Sequence, residues 1–246
     1  MWEQARVVIV AAHPDDETIG AGAQLGGIRD ATVIHVTDGA PRSHADWQRY
    51  KETRRSELLE AMAIAGIAED RCLELGIPDQ EASHRLVEIT DRLSELFAKL
   101  KPDVIVTHPY EGGHPDHDAT AFAVHHAAAG REVWEFCSYH RASSGSGIET
   151  GCFLGWPEIQ ATCVVLDGEQ RARKARMRRC FVSQAETLQW FRETAIEREC
   201  FRRAPDYDFT VAPHSGRLFY EFFNWGMSGE EWRQLAAEAM AEMAHV

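Results

Sequence analysis

Residues 6–17 read RVVIVAAHPDDE, and the change of character at residue 13 decides the fold. Residues 6–12 form a continuous apolar, β-branched run, the mark of a strand covered on both faces. The run breaks at His13-Pro14, and a helix is predicted over about residues 16–28. The pattern repeats. Residues 32–37 (TVIHVT) give a second buried strand, and residues 46–65 carry Leu58, Leu59 and Met62 at helical spacing up to Gly66. Residues 71–75 give a short third strand, 83–100 an amphipathic helix, 103–107 (DVIVT) a fourth strand, and 117–129 another helix. Such alternation implies a parallel sheet with helices on both faces. Right-handed crossovers place strand 1 between strands 2 and 4, so ligands bind at the carboxyl ends of strands 1 and 4.

After residue 131 the pattern is weaker. Residues 133–140 and 161–166 read as further strands, 169–203 as helical and arginine-rich, and 142–151 as a loop able to rim a site. Residues 228–244 read as a helix with Ser228 as N-cap and Glu231 completing a capping box. With no repeat and no linker, the 246 residues are expected to form a single domain: a core over 1–131 and a second part, 132–246, shaping the pocket.

Composition narrows the function. A net charge of −13 repels phosphate backbones and argues against nucleic acid as a partner. No apolar run approaches the ~20 residues of a membrane span, and no basic leader precedes the first strand. The six cysteines (Cys72, Cys137, Cys152, Cys163, Cys180, Cys200) show no CxxC pair, and are expected to be reduced, mostly buried thiols of a cytoplasmic protein.

Two clusters carry the chemistry. His13-Pro14-Asp15-Asp16 ends strand 1, and His114-Pro115-Asp116-His117 follows strand 4, so the topology brings both to one crevice. Two neutral imidazoles and a carboxylate suit a catalytic zinc with an open position. A neighbouring unliganded carboxylate can take a proton from water, and a protonated histidine can stabilise an oxyanion. Either cluster alone could be an N-cap with a first-turn acid. The competing reading as a dinucleotide-binding oxidoreductase meets an obstacle in HPDDETIGAG, which puts carboxylates where a pyrophosphate needs bare backbone N–H groups.

AHPDDE at 12–17 and HPDH at 114–117 resemble the LmbE/PIG-L family of zinc-dependent N-acetyl-sugar deacetylases, over roughly residues 5–130 and weakly around 174–184. The resemblance implies a Rossmann-like, three-layer α/β fold with a mostly parallel sheet in the order 3-2-1-4, extended by C-terminal strands. It implies His13, Asp16 and His117 as metal ligands for Zn2+ (Fe2+ being the alternative) and Asp15 as general base. His114 would steady the oxyanion, with Asp116 orienting its ring. The implied substrate is a small N-acetylated amino-sugar molecule or conjugate. The alternative substrate is another non-peptide amide, and a non-catalytic binding protein is the remaining reading. Family members are often oligomeric, so a homo-oligomer is also implied.

Weaker matches are Arg54 (or Arg55) and Asp79 as substrate-binding residues, with Lys174 and Gln184 near the site. Among other histidines, His35 reads as core, His108 as a supporting neighbour, and His140 and His214 as candidates to enter from a lid. Trp134, Trp156, Trp190 and Trp225, and the FYEFFNW segment at 219–225, read as core or interface.

Overall fold

The computed structural model describes residues 1–142, 147–156, 158–191 and 196–245. The first half runs β1 (Arg6–Ala11), α1 (Asp16–Leu25), β2 (Asp30–Pro41), α2 (Trp47–Ala65), β3 (Cys72–Asp79), α3 (Leu86–Leu100), β4 (Val104–Thr107) and α4 (Pro115–Ala127). The second half adds β5 (Glu132–Phe136), β6 (Tyr139–Arg141), β7 (Ile148–Thr150), β8 (Thr162–Val165), α5 (Gly168–Cys180), β9 (Arg198–Arg203) and α6 (Gly229–Met243). One seven-stranded sheet has the order β3-β2-β1-β4-β5-β9-β8, parallel through β5, with β9 and β8 antiparallel. This is the anticipated 3-2-1-4 order with C-terminal strands added.

β1 is central, and its side chains alternate between two cores. Val8 and Val10 pack with Ile34, Leu93, Phe97, Phe122 and Trp232. Val7 and Ile9 pack on the other face with Leu58, Met62, Phe136 and Met177. That double burial is why the strand is apolar from Val7 through Ala11. Trp232 of α6 also donates its indole N–H to the Pro115 carbonyl (3.1 Å), tying the last helix to the start of α4. Ser228 caps α6 by accepting the Glu231 N–H (3.1 Å).

The second half departs from expectation in two places. The stretch 169–203 is not helical throughout: α5 ends at Cys180, short 3-10 turns follow at Val182–Gln184 and Thr187–Phe191, and Arg198–Arg203 is β9. Residues 192–195 of that stretch lie outside the described residues. The strand looks polar because its buried charges are matched internally, Glu199 by Lys174 and Arg202 by Glu111 and Glu135. The expected loop at 142–151 is partly strand, for β6 and β7 pair as an antiparallel ribbon; residues 143–146 lie outside the described residues.

Nor are all six cysteines reduced. Cys163 and Cys200 face each other across the β8–β9 ladder and form a disulfide. Separated by 37 residues, they show no sequence spacing that would reveal the pairing. Cys72, Cys137, Cys152 and Cys180 are free thiols. Among the described residues, no helix is long and apolar enough to cross a membrane.

Candidate metal centre and catalytic cavity

At the carboxyl end of β1 the chain turns sharply. Asp15 takes φ 133°, a conformation costing a non-glycine residue ~1–3 kcal/mol, so the surroundings must hold it. Three braces do so. Glu17, fully buried, accepts the Asp15 N–H (3.0 Å) and meets His35 Nε2 of β2 at 2.9 Å. Arg54 of α2 donates to the Pro14 carbonyl and to the Asp15 carboxylate (3.3 Å). Gly39 completes the cradle: at φ 64°, a Cβ there would sit 2.8 Å from Arg54 Nε and 3.0 Å from Pro14 Cδ. Glu17, which the sequence left without a role, is therefore a brace, and His35 is its buried partner.

The second cluster is set by the N-terminus of α4. His114 is the N-cap, its Nδ1 accepting the Asp116 N–H (3.1 Å), and Pro115 opens the helix. The first turn then brings His117 under the end of β1, where its Nε2 lies 3.3 Å from Asp16 Oδ1. Ligand atoms of His13, Asp16 and His117 all fall within 4.8 Å of one another, and the three residues are buried.

The donor chemistry fits a divalent cation. His13 turns Nε2 toward two carboxylates, Asp79 Oδ1 at 3.0 Å and Asp116 Oδ2 at 3.2 Å, which hold a proton on that nitrogen, so that Nδ1, 3.1 Å from Asp16, is the atom a cation would take. His117 does the converse, meeting Ser138 Oγ through Nδ1 (3.3 Å) and leaving Nε2 for a metal. Burial pushes the His117 imidazole down to about 3, so it is the neutral form a metal requires. At His13, burial also pulls downward, but Asp79, Asp116 and Asp16 outweigh it and raise the pKa well above the ordinary value. Such surplus negative charge is what a bound cation would balance. His108 supports from behind, accepting the Ala12 N–H (3.0 Å) and stacking on His117 at 3.9 Å between ring centroids.

Asp116 does not sit as anticipated. Its carboxylate is 4.0 Å from His114 Nδ1, and the ring is met by the Asp116 backbone N–H instead. The carboxylate accepts from Gln80 N (2.7 Å) and Ala82 N (3.1 Å) and faces His13. It therefore orients the His13 ring and anchors the loop after β3. Nor is a protonated His114 available: burial and His13 push it down to about 3. With Nδ1 accepting a hydrogen bond, its proton resides on Nε2, so the neutral ring remains a donor. Burial, opposed by Arg54 and reinforced by Asp16 and Glu17, pushes the Asp15 carboxyl up to about 7, a value suited to moving protons near neutrality.

The cavity above these groups measures about 280 Å³ and is lined by residues of both halves of the chain. Asp79, Arg54 and Gln184 line it. Arg54 rather than Arg55 faces the site; Arg55 donates to Cys72 O and pairs with Glu74. Lys174 lies elsewhere, buried against Glu199 and the Ile19 carbonyl. Tyr139, Trp190, Phe191 and Trp225 form an aromatic wall that sequence reasoning missed or assigned to core and interface. Tyr139 packs on His117 (5.1 Å between centroids) and Trp225 on His114 (4.5 Å). An aromatic residue facing a cavity has the same local sequence signature as one facing the core, so no signal distinguished them.

Known proteins can now be compared with this geometry. Residues 8–128 match the PIG-L family, described as GlcNAc-PI de-N-acetylase. A 1D-myo-inositol 2-acetamido-2-deoxy-alpha-D-glucopyranoside deacetylase of Corynebacterium glutamicum is 30% identical over 235 residues, covering 79% of this chain and 78% of its own. The chain belongs to the PIG-L family. The crystal structure of the A40926 pseudoaglycone deacetylase Dbv21 superposes with a TM-score of 0.62 at 19% identity, covering 82% of this PIG-L protein and 98% of its own chain. GalB, a 4-carboxy-2-hydroxymuconate hydratase from Pseudomonas putida, superposes with a TM-score of 0.57 at 13% identity, covering 82% and 97%. Two differently named activities thus share the architecture. The fold is common ground, and the reaction has to be argued from the site.

Proposed function

We propose that this PIG-L family protein is a zinc-dependent N-deacetylase that hydrolyses the acetamide of an amino-sugar-containing small molecule or conjugate. The observation that carries this reading is the convergence of His13 Nδ1, Asp16 and His117 Nε2 beside the Asp15 carboxyl, at the floor of a cavity. Bound among those three residues, zinc would supply an acidified water and a polarised amide carbonyl.

The chain's own groups do the rest. Asp15, restrained by Arg54, takes the proton of the attacking water and returns it to the departing nitrogen. His114 donates its Nε2–H to the carbonyl oxygen as negative charge gathers there. Asp79 and Asp116 keep the His13 proton on Nε2. Asp79 also lines the cavity, where its second oxygen can accept a sugar hydroxyl. Arg54 bears on the substrate chiefly through Asp15. The aromatic wall offers apolar faces to a pyranose ring, and Arg54, the one arginine lining the cavity among the described residues, is already paired with Asp15, which favours a neutral sugar over an anionic one.

Acetate release by the zinc-loaded protein from free N-acetylhexosamines, sugar–inositol conjugates, thiol-sugar conjugates and glycopeptides tests the reading. At least one member should be cleaved, and Asp15→Asn should lower the rate ~10²–10⁴-fold with zinc content unchanged. Cleavage of none, or an undiminished rate in Asp15→Asn, overturns it.

A further inference from the structure

Outside the catalytic cavity, one cluster among the described residues combines all three kinds of metal-ligating side chain. His140 of β6 and Glu149 of β7 are direct cross-strand partners, and Cys152 follows two residues after β7. Cys152 Sγ lies 3.8 Å from His140 Nε2 and 4.0 Å from Glu149 Oε2. Ligand atoms of the three fall within 4.8 Å of one another. Bond lengths of ~2.0–2.3 Å in a tetrahedral zinc site imply ligand-to-ligand edges of roughly 3.3–3.8 Å, so the two edges at Cys152 need shifts of only about half an ångström or less.

The imidazole is already set for coordination. His140 Nδ1 meets the Arg141 carbonyl at 2.9 Å, and since a carbonyl can only accept, that nitrogen carries the proton. Nε2 therefore presents a lone pair to Cys152, the arrangement that supporting hydrogen bonds impose on metal-bound histidines. His214 has the same tautomer, its Nδ1 meeting the Ser215 carbonyl at 3.0 Å, but it stands outside the group whose ligand atoms fall within 4.8 Å of one another.

We propose that His140, Glu149 and Cys152 form a second metal site, completed by solvent, for zinc or a comparable thiophilic divalent cation. On binding, the Cys152 thiol releases its proton to solvent and the thiolate joins the metal; His140 binds neutral, and nothing is oxidised or reduced. None of these residues takes part in the proposed deacetylation. The site would be structural, clipping the β6–β7 ribbon from which Tyr139 packs on His117.

Cobalt titration of the full chain, with the Cys163–Cys200 disulfide kept oxidised, tests this. The His13–Asp16–His117 centre offers only nitrogen and oxygen, so a sulfur-to-cobalt charge-transfer band comes from elsewhere, and its loss in Cys152→Ser assigns it to Cys152 rather than to Cys72, Cys137 or Cys180. The wild type should show that band and take up two equivalents; Cys152→Ser should lose the band and retain one equivalent. His140→Gln should weaken binding at the sulfur site at least ~10-fold. Absence of the band in saturated wild type, or its persistence in Cys152→Ser, overturns the proposal. Should Cys152→Ser misfold by circular dichroism, unchanged sulfur-site affinity in His140→Gln overturns it equally. Acetate release plays no part in this readout, so failure of the deacetylase reading would leave it intact.

Discussion

Asp116→Asn separates two accounts of one residue, and its size can be worked from the hydrogen bonds. The carboxylate accepts from Gln80 N and Ala82 N through different oxygens, and the oxygen facing Gln80 also faces His13 Nε2. An asparagine keeps one acceptor, so one buried backbone N–H loses its partner in either orientation of the amide. That loss costs ~1–3 kcal/mol of folding stability. The bond to His13 also loses its charge assistance, while Asp79 at 3.0 Å remains to hold the same proton. Loss of such a supporting carboxylate typically weakens metal binding ~10–100-fold, and the surviving Asp79 puts this case at the lower end, near 10-fold. Zinc affinity read by competition with a chromophoric chelator, paired with acetate release as a function of free zinc, measures both. Activity should recover at saturating zinc, because the residue acts on His13, the proposed ligand. A variant that binds zinc as wild type yet stays slow at saturation would refute this reasoning and restore Asp116 to His114.

Other outcomes follow from particular contacts. Gly39→Ala should destabilise the protein and slow catalysis, because a methyl group enters the Arg54–Pro14 contact at a left-handed φ; wild-type melting and rate would contradict the cradle. Burial pushes Glu111 up to about 8 and Glu135 up to about 7, against the pull of Arg202. Above the ordinary glutamate value the unfolded chain has released these protons while the folded cluster retains them. The resulting stability is complete below that value and fades as pH rises through the folded pKa values, so melting temperature should fall between pH ~5 and ~8. Glu111→Gln should flatten that slope, and an unchanged slope would exclude Glu111 as a source. Reduction of Cys163–Cys200, which closes a 37-residue separation, should cost on the order of 3–4 kcal/mol, seen as a lower melting temperature with reductant and as no reductant effect in Cys200→Ser.

What the chain alone determined was local chemistry with a regular period. An unbroken apolar β1 means cover on both faces, strand–helix alternation means a parallel sheet, and that sheet has one switch point, where His13 and His117 meet. Ser228 could be read as a cap because its partner is three residues away. Only the tertiary structure decided features whose partners come from distant segments. Asp116 turned out to serve His13 and the loop at Gln80–Ala82, three pieces of chain that sequence order does not bring together. β9 was hidden because its buried polar side chains find their partners, Lys174 and Glu111, on other elements. The Cys163–Cys200 bond depends on strand register, and Trp190 and Trp225 line the cavity because of where their segments cross it. Residue type specifies which contacts a side chain can make; the packed chain supplies the neighbours and so selects among them.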